Sequence, residues 1–294
     1  MGGTYHLAPF VNVVSIRGTL VRRWSMRNHT ITKEFPVAFF ALTFLLAVPF
    51  YILNVLAYLE VLFEPEMGAL YVALFTLTPI VSASILTFRK SGWDGVKKLF
   101  GRIFDFRRIE RRRWYAPILL LIPLIFLLSL AVMVSAGATV PPALTPAVAL
   151  PAVFLFFFIL AAGEEVGWMG YAFEPMQARG GALRASLVLG VIWAVWHLPF
   201  FVFMMPDRVI LLAQLVTLVG TRVLAVWIFN NTGKSVFAAI LFHAADNTAL
   251  VTLPEIQAIS SWGAVLHSGL ILVVAGAVTW LWGPRTLARF RFGK

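Results

Sequence analysis

Two adjacent glutamates, in GEEVGWMGYAF over residues 163–173, follow about fifty residues in which Tyr115 is the only ionisable side chain. A carboxylate shielded from bulk water can serve as a general base, and beside an imidazole it can take a proton from water and direct that water at a carbonyl. An imidazole lies downstream in WAVWHLPFF (His197), and HAADN supplies His243 and Asn247. His243 and Asn247 stand at i and i+4, so on a helix they share a face. From there an imidazole and a carboxamide can donate to an oxyanion. The set Glu, His, then His and Asn suits hydrolysis of an amide by activated water. No serine triad is evident and HExxH is absent, so the serine and zincin routes lack their motifs.

Helical geometry refines this set. Neighbouring helical residues point about 100° apart, so Glu164 and Glu165 cannot both face one point: one enters a cavity while the other braces a neighbouring helix. Trp193 sits one turn before His197, and Pro199 weakens the backbone ladder just after it. Gly163, Gly167 and Gly170 allow close helix approach. Arg222 can snorkel or pair with a carboxylate, Asp246 can orient His243 or cap the helix cluster, and His267 reads as structural.

The elements that must carry these residues are membrane helices. The 294 residues are 60% hydrophobic and 13% charged, with a mean hydropathy of +0.87, whereas a soluble domain is about a quarter charged. Runs long enough to cross a bilayer as helices fall at roughly 35–59, 67–88, 115–136, 145–172, 183–205, 209–229, 235–253 and 261–282. The expected fold is therefore all-α, a polytopic membrane bundle of about eight transmembrane helices. Residues 1–34 read as an N-terminal cytoplasmic segment, 35–284 as the bundle and 285–294 as a basic tail. The stretch 93–110 suits an amphipathic interfacial helix. An ionisable residue inside such spans costs about 2.5–3.5 kcal/mol on insertion scales and is functional by default.

The net charge of +11 is a topology signal and a source of lipid contact rather than a nucleic-acid footprint. Ten of 24 basic residues lie between Arg89 and Arg113, five precede residue 34 and four follow residue 284, which is the positive-inside pattern. No nucleic-acid motif accompanies them. With no cysteine there is neither a disulfide nor a thiolate nucleophile, and the first residues lack the layout of a cleavable signal peptide.

EEVGWMG, then WAVWH, then HAADN, in that order, resemble the three motifs of the CAAX prenyl protease and bacteriocin-processing family (the abortive-infection or type II CAAX endopeptidase-like proteins). The resemblance covers about residues 145–250. It implies a multi-spanning membrane endopeptidase with Glu164 as general base, His197 as its partner on the water, His243 and Asn247 on the oxyanion and Glu165 in support. Its substrates would be peptides or proteins, prenylated ones among them. It implies no cofactor, the alternative being Zn²⁺ held by the histidines and a glutamate. Where the family's first motif carries arginine this chain has Met169. An arginine there would lie nearly on the face of Glu165.

Two rival classes use the same residues: a catalytically silent membrane scaffold or immunity-type protein, favoured by Met169, and a proton-coupled transporter using the buried carboxylates. Repeat halves and paired broken helices, common in secondary transporters, are not evident. Basic connections alternate with acidic or neutral ones, which places both termini in the cytoplasm at the cell membrane. A reporter active only outside the cytoplasm, fused after Lys294, should stay silent; a strongly active fusion would overturn this topology.

Overall fold

The computed structural model describes residues 35–59, 66–139, 146–205, 207–253, 260–288 and 290–292, with backbone alone for 66–70. The expected N-terminal segment 1–34 and the acidic connection's Glu60 and Glu64 lie outside the described residues. The described residues form helices and no strand. In chain order these are α1 (Val37–Tyr58), α2 (Glu66–Thr76), α3 (Thr78–Gly101), α4 (Tyr115–Ser135), α5 (Leu150–Gly167), α6 (Phe173–Gly180), α7 (Ala182–Met204), α8 (Arg208–Asn231), α9 (Val236–Thr252) and α10 (Ser261–Trp282). Seven helical stretches among them are long and apolar enough to cross a bilayer. The eighth, α9, has 17 residues and stands at the short end of that range. The chain is an all-α polytopic membrane bundle, and rows of exposed leucine, isoleucine and valine on α1, α4, α5 and α7 suit contact with lipid tails.

Three departures from uniform helices have local causes. The expected span 67–88 breaks at Leu77 between α2 and α3, two residues before Pro79, whose missing N–H cannot continue the helical ladder. Within α3 the backbone turns at Gly92 (φ 59°, ψ −162°). A side chain is strained there, and the turn separates the membrane-length part of α3 from the basic residues 93–101. Directly after the paired glutamates, α5 widens into a π-turn, Trp168–Ala172. Such turns concentrate at functional sites because they re-aim side chains within a helix.

The basic run after α3 does more than mark topology. Its 3₁₀ turns, Arg102–Phe104 and Phe106–Arg108, dock on the core. Arg102 donates to the carbonyls of Gly170 in the π-turn (2.8 Å) and of Lys234 ahead of α9 (2.9 Å). Asp105 accepts from the hydroxyl of Ser235 (2.7 Å) and the amide of Phe237 (3.1 Å), so it caps the start of α9. The segment thus straps the end of α5 to the beginning of α9.

Helix proximity at the centre depends on glycine. A Cβ on Gly167 would lie 2.7 Å from the backbone of Pro79, and one on Gly163 would lie 2.9 Å from the carbonyl oxygen of Thr76. Gly170, by contrast, leaves ordinary contact distances. Gly167→Ala should therefore destabilise the protein in detergent by ~1–3 kcal/mol, the usual cost of overpacking. Gly276→Ala, where a Cβ meets nothing within 4 Å, should not. Equal unfolding midpoints for both variants would contradict the close packing of α3 on α5.

Candidate active site

The two glutamates separate as helical geometry requires. Glu164 and Glu165 are 3% and 1% exposed, but only Glu164 lines the central cavity of about 260 Å³. His197 on α7 and His243 and Asn247 on α9 line the same cavity, as do Asp246 and His267. Phe157, Leu160, Phe201 and Leu250 give it apolar walls. Four sequence-identified groups from three helices therefore meet in one space, while Glu165 stands behind it.

Glu165 is held by a cation from another helix. Nη1 of Arg222, on α8, donates to both carboxylate oxygens of Glu165, at 2.7 and 3.0 Å. Arg222 is itself 1% exposed, and its Nε and Nη2 have no partner among the described residues. Its guanidinium carbon lies 4.2 Å from the ring centroid of Trp193, a cation–π arrangement that compensates part of the lost hydration. Met169 is fully buried as well. The sequence leaves Glu165 without the cation that an arginine at 169 would bring, and α8 supplies it.

That ion pair fixes the hydrogen-bond roles around it. A carboxylate against a guanidinium is an acceptor. The Nδ1 of His243, 2.9 Å from Glu165 Oε1, is therefore the donor in that bond, and the ring's Nε2 is left for the cavity. On the other side of Arg222, the indole N–H of Trp193 donates to Glu164 Oε2 at 2.7 Å. This leaves Glu164 Oε1 for an occupant. The Nδ1 of His197 lies 3.0 Å from the carbonyl of Trp193, which can only accept, so Nδ1 carries the proton and Nε2 presents a lone pair. Two side chains of α1 take carbonyls flanking His197: Tyr51 donates to Trp196 (2.9 Å) and Asn54 to Pro199 (3.0 Å).

Other polar residues take secondary places. The single hydroxyl proton of Ser129 goes to the carbonyl of Ile125 (2.8 Å), so His267 Nδ1 donates to Ser129 at 3.0 Å. His267 is thereby tied to α4, in keeping with the structural reading. Reading the sequence identifies the pocket residues but not the bond from Trp193 to Glu164, nor the strap from Arg102 and Asp105. The aromatic one turn before His197 was the available signal for the first. The second was hidden inside a run of ten basic residues. Among the described residues no three His, Asp or Glu side chains gather as a metal-binding group.

Residues 145–249 match the family model described as type II CAAX prenyl endopeptidase Rce1-like. A CAAX prenyl protease 2 of Methanococcus maripaludis is 25% identical over 215 residues, which is 69% of this chain and 78% of that protein. The matched stretch contains both glutamates, His197, Arg222, His243 and Asn247 in the arrangement just described. The chain is a multi-pass membrane protein, and its stretch 145–249 is similar to the type II CAAX prenyl endopeptidases of the Rce1-like family.

Proposed function

We propose that the protein is an intramembrane endopeptidase that hydrolyses a peptide bond with water activated by Glu164 and His197. The observation that carries this reading is the pair of free acceptors facing one cavity, Glu164 Oε1 and His197 Nε2, each held from behind through Trp193. A water molecule has two protons to place, and these acceptors receive both, which turns an oxygen lone pair toward the scissile carbonyl. Glu164 takes one proton as the oxygen attacks. The oxyanion develops against His243 Nε2 and the carboxamide of Asn247. To donate there, the His243 ring must carry protons on both nitrogens, and Glu165 is the carboxylate that balances such a charge. Glu164 then returns its proton to the leaving nitrogen as the C–N bond breaks, so the proton count closes.

The family name carried by the relative points to prenylated peptides, and the apolar walls around the polar centre suit a lipidated chain. The chemistry as drawn routes every proton through Glu164 and asks nothing of a metal. The silent-scaffold reading rested on Met169, and Arg222 supplies the charge whose lack motivated it. We place the protein in the cell membrane with both termini cytoplasmic, on the strength of its basic connections.

The test is cleavage of a quenched S-farnesylcysteine peptide by purified protein in detergent. Glu164→Gln keeps an acceptor for the Trp193 indole but cannot take a proton, so kcat should fall by roughly 10²–10⁴, and EDTA should leave the wild-type rate unchanged. Wild-type cleavage by Glu164→Gln would refute the general-base assignment. Loss of activity to EDTA with recovery on Zn²⁺ would refute the metal-free chemistry.

A further inference from the structure

The cavity contains a carboxylate that the proposed reaction does not use. Asp246 lies one turn after His243 on α9, lines the cavity and is partly accessible from it. No hydrogen bond or ion pair engages it among the described residues. The nearby charges have other partners. Glu165 holds Arg222 and the Nδ1 of His243, so the imidazole is turned toward Glu165 rather than Asp246. Glu164 receives the Trp193 indole. Three carboxylates thus stand in and behind the cavity with one guanidinium. Counting His243 as the imidazolium that oxyanion binding requires still leaves one negative charge over.

An uncompensated carboxylate at membrane depth is costly, and a cation from the occupant would remove that cost. Proton transfer offers Asp246 no role, because Glu164 both accepts the water proton and returns it to the leaving nitrogen. We propose that Asp246 forms a specificity subsite for a cationic group of the substrate, a lysine or arginine side chain or a free ammonium near the scissile bond. The proposal rests on the peptidase reading for the word substrate, and on geometry alone for the binding of a cation. In the cavity the cation would meet Asp246 over apolar walls, where an ion pair gains more than it does in water.

The experiment uses a series of fluorescent S-farnesylcysteine peptides in which Lys, Gln or Glu is placed in turn at each position within four residues of the prenylated cysteine. Binding is read by anisotropy on the Glu164→Gln protein, and cleavage on the protein with Glu164 intact. At one position Lys should bind about tenfold or more better than Gln, with Glu weakest, the difference expected when a charge-assisted bond is gained. The ranking should flatten to within about twofold in the near-isosteric Asp246→Asn and reverse in Asp246→Lys. A ranking that survives Asp246→Asn unchanged overturns the subsite, as does a series without any charge preference. If Lys peptides bind best but Glu164-intact protein cleaves none of the series, the cation subsite stands and the peptidase reading falls.

Discussion

The ion pair between Glu165 and Arg222 is the interaction on which the rest of the centre depends. Both side chains are almost entirely buried, so each has given up its hydration, and the loss is offset only if the geometry is good. Here one guanidinium nitrogen reaches both carboxylate oxygens, while the face of the same group lies over Trp193. From this pair the ordering runs two ways. Through Glu165 it sets which nitrogen of His243 is the donor and which faces the cavity. Through Trp193 it adjoins the indole that holds Glu164 and the carbonyl that orients His197. Glu164, His197 and His243 are thus positioned around one buried charge pair contributed by α5 and α8.

The scaffold is built to bring that pair together. α5 approaches the end of α2 at Gly163 and the start of α3 at Gly167, because neither glycine has a side chain to keep the backbones apart. The π-turn follows at once, and the strap through Arg102 and Asp105 anchors its far side to the start of α9. α9 is the shortest of the eight expected membrane elements and nearly all of its first ten residues are buried, which suits a helix that carries chemistry rather than one that meets lipid. The two buried carboxylates and the π-turn fall together in the segment from Glu164 to Ala172.

Much of the fold was legible because lipid imposes a simple rule. Crossing a bilayer takes about twenty apolar residues in a helix, and such runs stand out against any background. The breaks at Leu77 and Gly92 were harder to see, since both depend on local backbone conformation inside runs that satisfy the hydropathy rule. The cavity residues were legible for the converse reason: Glu164, His197, His243 and Asn247 are polar groups where polarity is costly, so few positions competed with them. What the sequence could not assign was the pairing across helices. Arg222 was recognisable as able to meet a carboxylate, but its choice of Glu165, 57 residues away, follows from the relative rotation of α5 and α8. Asp105 was lost among arginines whose plainest reading was topology.

A double-mutant cycle on the central ion pair tests the account most directly, with unfolding in detergent and peptide cleavage measured on the same four proteins. Glu165→Leu and Arg222→Leu should each cost ~3–5 kcal/mol, the penalty for leaving one buried charge unpaired, whereas the double variant should recover much of that stability because a buried pair can be exchanged for apolar groups. Cleavage should stay low in the double variant, since His243 has lost the acceptor that orders it. Single variants as stable as wild type, or a double variant that cleaves at the wild-type rate, would contradict the claim that this ion pair organises the site.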